Sequence, residues 1–373
     1  MARYKEYGYD IKDGVGIITK WGVKIEDGKF TCCEEIQRIT VPKWARKIGD
    51  WVFSGFPSHA HISIPPSVRK MRNRVFCRCS LLTSISIPSS VTEIGEVALI
   101  DCTHLKNIAV SKANKFYDSR EDCNAIIHTK SNTLVRGCEN TSIPSSITAI
   151  GEWAFCGCSS LTSITIPSSV KKIGRRAFYN CSSLTSVNIS SSIKKIRSMT
   201  FFGCSGLECI SIPPSVKVIG KCAFFRCSSL TGISIPPSVK KIGDGAFRSC
   251  YSLTSISIPP SVKKIGNDTF MDCSSLTSIS IPQSVKKIES GAFSGCSNLM
   301  SISIPPSVTE IGRWAFSYCS SLTSISIPQS VKKIGEYAFS HCSNLMSISI
   351  PEGCKVEKYA FPSCPENLVI TRY

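Results

Sequence analysis

The stretch Leu253-Thr254-Ser255-Ile256-Ser257-Ile258-Pro259-Pro260-Ser261-Val262-Lys263-Lys264-Ile265-Gly266-Asn267-Asp268-Thr269-Phe270-Met271-Asp272-Cys273 is one copy of a unit that recurs every 23 residues. With Pro259 as the zero mark, the equivalent position falls without insertion at Pro144, Pro167, Ser190, Pro213, Pro236, Pro282, Pro305, Pro328 and Pro351. An earlier block carries it at Pro42, Pro65, Pro88 and Ser111. A short fixed period over most of a chain makes each unit one coil of a solenoid, unable to bury its apolar side alone and stabilised by its neighbours. About fourteen coils are expected, in one array with two caps.

Within a coil, Leu253, Ile256 and Ile258 follow the L-x-x-L-x-L strand pattern, with the apolar residues inward and Ser255 and Ser257 outward. Stacked coils then form one parallel sheet on the concave side. Pro259 ends the strand because it offers no N–H to a ladder, and Val262 and Ile265 bring the chain back into the core along an extended segment. Gly266 marks a corner expected at positive φ. The Thr269-Phe270 segment, usually Ala-Phe, is too short for more than one helical or 3-10 turn. The expected fold is a β-rich solenoid with little regular helix.

The order Leu-x-x-Ile-x-Ile-Pro, Ser-Val-x-x-Ile-Gly, Ala-Phe, Cys-Ser-Ser resembles the BspA-like leucine-rich repeats of bacterial and protist surface proteins, from about Ile36 to the C-terminus. The resemblance implies a right-handed solenoid used for adhesion or protein binding, often displayed on a cell surface. It implies no catalytic residue and no cofactor.

Of 21 cysteines, eleven sit at one repeat position: Cys79, Cys102, Cys158, Cys181, Cys204, Cys227, Cys250, Cys273, Cys296, Cys319 and Cys342. A thiol at such a corner packs as a small, weakly hydrogen-bonding side chain, and an in-register parallel stack offers poor disulfide geometry. The ladder is therefore read as free and inert. A zinc site is not supported, because Cys77/Cys79 and Cys156/Cys158 lie several coils apart and His59, His61, His104, His128 and His341 lack ligand spacing. The start, Met1-Ala2-Arg3-Tyr4-Lys5-Glu6, has no apolar segment of the secretory type, and no later stretch has the apolar length of a membrane span. That reading favours the cytoplasm while the resemblance favours the cell surface, and location stays open here.

Residues 1–35 do not repeat and read as a cap, with short strands near Tyr9-Asp10-Ile11 and Val15-Gly16-Ile17-Ile18; Cys32-Cys33 is assigned no role. Phe56 stands at the corner-cysteine position and Leu99 at the usual phenylalanine. The solenoid is placed at 36–350. Ten extra residues separate Ser111 from Pro144, and a hairpin insertion is expected near 112–140, with Ile126-Ile127-His128 running against Thr133-Leu134-Val135. It is either a tolerated insertion or a binding finger, and Cys123 and Cys138 are candidates for a disulfide across it. Residues 351–373 read as the C-terminal cap.

Catalysis needs unlike groups converging on one point, whereas repeated coils lay identical groups in rows. The rows Ser278/Ser280 and Ser324/Ser326 have no partnered His or Asp, so no catalytic residue is assigned. Two surfaces stand out. In the turn before the phenylalanine the chain varies, and Trp153, Trp314 and Tyr337 are candidate contacts there, or else fill gaps between coils. The second is the basic pair after the valine: Lys171-Lys172, Lys194-Lys195, Lys240-Lys241, Lys263-Lys264, Lys286-Lys287 and Lys332-Lys333. These supply much of the net charge of +18. They form either a solvated edge that keeps the array unpaired or a track for an acidic glycan, an anionic membrane surface or an acidic protein. Nucleic acid is disfavoured, since lysine without neighbouring arginine or aromatic residues gives attraction but no readout. Two functional readings result: a non-enzymatic adhesion or protein-binding solenoid, and a cytosolic scaffold or effector that binds acidic partners through its lysine rows.

Overall fold

The computed structural model describes residues 41–55 and 62–373, with the strand backbones at Tyr9–Lys12, Val15–Ile18, Lys24–Ile25 and Arg38–Thr40. Cys32, Cys33, Phe56, His59 and His61 lie outside the described residues. The chain is a parallel-sheet β-solenoid of about 14 turns with almost no helix. It divides into two compact units, Met1–Ser183 and Leu184–Tyr373.

The period dictates the register. In the N-terminal unit, Ile108 pairs with Ile85 and Ile85 with Ile62, each 23 residues apart, in one parallel sheet. A second parallel sheet is built from the return segment: Lys24–Ile25, Lys47–Ile48, Lys70–Met71 and Glu93–Ile94. The same 23-residue offset pairs Val15 with Arg38, so coil register already reaches the segment that the sequence reads as a cap. Composition hides this because those coils lack the Pro-Ser-Val and Cys-Ser-Ser signals.

The C-terminal unit repeats the scheme. Ser278–Ser280 pairs with Ser301–Ser303, and Ser324–Ser326 with Ser347–Ile350 and then Val369–Arg372. On the return side run Lys195–Ile196, Val218–Ile219 and Lys241–Ile242, and a separate five-stranded sheet from Lys264–Ile265 to Lys355–Val356. The return segment is thus a second strand in most coils, a pairing of two residues too short to be visible as a strand in sequence. At the end of the chain, Arg372 donates to the carbonyls of Pro351 and Cys354, and the Tyr373 hydroxyl donates to Ile327 O at 2.6 Å.

Burial follows the inward positions: Leu253, Ile256, Ile258, Val262, Ile265, Phe270 and Cys273 are all core. The phenylalanines stack coil on coil, with Phe247, Phe270 and Phe293 at centroid separations of 5.7 and 5.5 Å and nearly parallel rings. Gly266 is not at positive φ; a methyl there would lie 2.5 Å from Asp244 Oδ1. At the equivalent Gly220 it would lie 2.5 Å from the Ser198 backbone nitrogen. The corner glycine is needed for close approach, of a carboxylate at Gly266 and of the neighbouring backbone at Gly220, which corrects the conformational role expected from sequence.

The insertion is a three-stranded antiparallel meander of Tyr117–Asp118, Ile126–His128 and Thr133–Arg136, whose last strand joins Ala149–Ile150 in parallel. Cys138 Sγ donates to Lys106 O and Asn124 O at 3.1 and 3.2 Å, while Cys123 Sγ lies 3.8 Å from Ser119 Oγ. Both are free thiols with separate partners, so the disulfide proposed between them is not formed. The expected pairing of Ile126–His128 with Thr133–Arg136 is present, and the Cys138 thiol is taken up by the carbonyl of Asn124, next to Cys123.

Candidate interaction ridge

The turn around the phenylalanine carries two residues per coil in the left-handed region, four apart. In the C-terminal unit the first is Met199, Cys222, Gly245, Asp268, Gly291, Trp314, Tyr337 or Tyr359, and the second includes Ser249, Asp272, Gly295, Tyr318 and His341. The turn aims alternate N–H groups at the next coil: Trp314 N bonds Glu336 O at 3.0 Å, Phe316 N bonds Ala338 O at 2.8 Å and Tyr318 N bonds Ser340 O at 2.7 Å. The buried phenylalanine pins the centre, so the two left-handed side chains flank a ridge. A non-glycine residue there costs about 1–2 kcal/mol against the right-handed region. Gly245 and Gly291 hold the same position without that cost.

Aromatic residues nevertheless gather at the C-terminal end in two columns. Trp314, Tyr337 and Tyr359 stack at 6.2 and 5.8 Å, and Tyr318 stacks on His341 at 4.4 Å. Trp314 is 42% and Tyr318 55% exposed. Between the columns lie the buried Ser294, Ser317 and Ser340. A cleft of about 460 Å³ runs here, bounded by Asp268 and Met271 at one end and Pro362 at the other. It is within the size range of small-molecule and peptide sites. In the N-terminal unit Trp153 lies 5.6 Å from Tyr179 and is covered by the Arg176 guanidinium at 4.7 Å. Of the three aromatic candidates, the structure therefore brings Trp314 and Tyr337 together and places Trp153 in the other unit, half-buried under an arginine.

All twelve candidate lysines are exposed. The strand register sets Lys264, Lys287, Glu310, Lys333 and Lys355 in one row. Glu310 therefore interrupts the positive charge, and it bonds Lys287 at 2.7 Å, raising that lysine's pKa. Glu289 approaches Lys264 at 3.4 Å, and Glu357 approaches Lys333 and Lys355 at 3.3 and 2.8 Å. In the other row of the pair, Lys263 and Lys286 meet Thr309 before Lys332. The edge is basic in blocks of two or three coils. The lysines are evident from sequence, whereas the carboxylates that reach Lys264 and Lys287 come from neighbouring coils.

The corner cysteines form a second internal ladder. Cys250, Cys273, Cys296 and Cys319 each donate Sγ–H to the carbonyl of the phenylalanine 26 residues earlier, at 3.2–3.3 Å. They are buried and free. Desolvation raises their pKa values, that of Cys250 to about 12. A thiolate is the reactive form, so these groups are poor nucleophiles and poor metal ligands. No group of three or more His, Cys, Asp or Glu suited to a metal occurs among the described residues. The serine face is polar and shallow, with Met300 and Met346 as exposed departures from the Thr254/Thr277 column.

Parallel sheets at a 23-residue register, a phenylalanine column and inward leucine and isoleucine define a leucine-rich repeat solenoid. The chain belongs to the family with the BspA type leucine rich repeat region, which matches in 6 copies over residues 18–123, 131–254 and 240–368. It is similar to a leucine-rich repeat protein from Bacteroides ovatus at 27% identity and TM-score 0.59, covering 82% of this chain and 88% of that one. A leucine rich cell surface protein from Faecalibacterium prausnitzii is also 27% identical, with TM-score 0.52 over 98% and 92% of the two chains. The pneumococcal vaccine antigen PcpA shares the fold at 16% identity and TM-score 0.54, with 98% and 96% covered. No curated protein matches the chain. Among the described residues no helix is long and apolar enough to cross a membrane.

Proposed function

We propose that this chain is a non-enzymatic binding solenoid that holds a protein ligand at a cell surface, and that the aromatic ridge of the C-terminal unit is its main contact surface. The observation that carries this is the pair of columns Trp314/Tyr337/Tyr359 and Tyr318/His341, exposed beside a cleft except for the half-buried Tyr337, and held at left-handed positions where glycine would be conformationally cheaper. Aromatic side chains give large contact area for little lost freedom, and they dominate interface energetics. The family and the description of the Faecalibacterium relative support surface display. The identical serine and lysine rows contribute solubility and attraction for acidic surfaces, the latter being the basis of the second reading, an intracellular scaffold for acidic partners or polyanions.

The test is a panel of purified secreted proteins and acidic glycans probed with three forms of the full chain. They are wild type, a ridge variant (Trp314→Ser, Tyr337→Ser, Tyr359→Ser) and an edge variant (Lys240, Lys241, Lys263, Lys264, Lys286 and Lys287→Gln). Loss of protein binding in the ridge variant, with the edge variant changed only in its salt dependence, supports the proposal. Ligands that are all acidic glycans, and are lost only in the edge variant, overturn it in favour of the second reading.

A further inference from the structure

The ridge has a gap where the stacked coils carry glycine. Both aromatic columns start immediately after a glycine coil: Gly291 precedes Trp314 and Gly295 precedes Tyr318, and one coil further back stand Asp268 and Asp272. The carboxylates lean across the gap. Asp268 Oδ1 occupies the space a methyl at Gly291 would need, and Asp272 Oδ1 lies 2.6 Å from the place of a methyl at Gly295.

The coil before the two rings carries glycine at both positions, and the carboxylates of the coil before that reach into the space. Arg313 does not cover the Trp314 face. Its guanidinium carbon is 3.9 Å from the Trp314 centroid but also 5.6 Å from Tyr337, which puts it on the Tyr337 side of the indole. It is also tied to Glu336 at 3.4 Å. Asp268, Gly291, Trp314 and Tyr318 line one end of the cleft, with the Asp268 carboxylate at its base and the two aromatic rings as its wall; Asp272 and Gly295 stand in the same register beside it.

Carboxylate plus aromatic face is the environment that suits a guanidinium or ammonium group. The chain already uses it once on itself: the Arg248 guanidinium pairs with Asp268 at 3.3 Å and lies 5.5 Å from the Phe225 ring. Asp272, in contrast, meets the neutral Ser249 hydroxyl at 3.5 Å. The net charge of +18 opposes a cation at long range. Beyond a Debye length of about 8 Å at physiological salt that repulsion is screened, and the local groups decide: Asp268 is partly neutralised by Arg248, whereas Asp272 meets only the Ser249 hydroxyl and keeps its charge for a further cation.

We propose that the notch of Asp268, Asp272, Gly291, Gly295, Trp314 and Tyr318 receives an arginine or lysine side chain of the partner protein, whose main chain continues along the cleft. This rests on the reading of the ridge as the binding face and specifies what that face selects: an extended segment with a basic anchor. The glycines are then selectivity elements, since a side chain at Gly291 or Gly295 would displace the carboxylates that hold the cation.

The probe is the peptide acetyl-Gly-Arg-Gly-Arg-Gly-amide against its citrulline counterpart, which keeps the shape and loses the charge. Both are titrated into the full chain while the indole N–H signals are recorded, with Trp314→Phe assigning the Trp314 signal. The arginine peptide is expected to move that signal and bind at least about tenfold tighter than the citrulline peptide. The difference is expected to vanish in Asp268→Asn/Asp272→Asn, whose thermal unfolding should match wild type. Equal binding of both peptides, an unmoved Trp314 signal, or a neutral oligosaccharide such as maltohexaose competing for the same shift overturns the cation seat. The ridge variant on the protein panel judges the binding face separately, so the two failures are distinguishable.

Discussion

Raising the pH should unfold the C-terminal unit over a narrow range, because its corner thiols are buried as neutral donors. Burial lifts the pKa values of Cys227, Cys250, Cys273, Cys296, Cys319 and Cys342 above the ordinary thiol value of 9.0, with Cys250 and Cys342 reaching about 12. A folded state that holds its protons more tightly than the unfolded chain keeps that stability in full below the unfolded pKa. It loses the stability as pH rises from there through the folded value. Each such group costs about 1.4 kcal/mol per pH unit in that window, so six groups together remove about 8 kcal/mol per unit. A domain stable by about 5–15 kcal/mol cannot withstand more than one or two units of that loss. Urea unfolding followed by circular dichroism in reductant, from neutral pH to about 11, should show stability level to about pH 8 and then falling with the release of several protons. Cys250→Ala should lower the fitted proton number by about one. A decline worth fewer than about two protons would refute the buried-thiol ladder.

Cys250→Ser should cost about 1–3 kcal/mol, since a shorter hydroxyl placed where Sγ lies 3.2 Å from Phe224 O reaches its acceptor poorly; chemical denaturation reads it directly. Gly220→Ala should cost about 1–3 kcal/mol through collision with the Ser198 backbone, and a melting temperature equal to wild type would show that the coils can separate there. Replacing Lys240, Lys241, Lys263, Lys264, Lys286 and Lys287 by Gln should leave the melting temperature level or slightly higher and lower the salt needed to elute the chain from heparin; co-elution with wild type would make the row a solvated edge only.

The period, the inward residues and the hairpin were legible because each depends on neighbours within one coil: Leu253, Ile256 and Ile258 alternate, and Ile126–His128 lies a few residues from Thr133. What lay between coils was harder to read. Gly266 signals a corner, but its reason, the Asp244 carboxylate against its Cα, is 22 residues away. Glu289 and Glu310 temper Lys264 and Lys287 from adjoining coils. Trp314, Tyr337 and the variable position at Asp268 could be named from sequence, whereas the Gly291/Gly295 gap and Asp272 escaped notice because their common feature is a column in the stacked register, with φ near +50 to +75°. A coil-by-coil alignment holds that signal once the turn is known to carry two left-handed positions.

The most direct measurement of where this solenoid binds is hydroxyl-radical footprinting of the full chain, alone and saturated with a protein ligand from the panel. Protection is expected to concentrate at Trp314, Tyr318, Tyr337, His341 and Tyr359, with the exposed Met300 and Met346 of the serine face still oxidised as in the free chain. Protection of Met300 and Met346 with the ridge aromatics left reactive would contradict this and move the binding surface to the serine sheet.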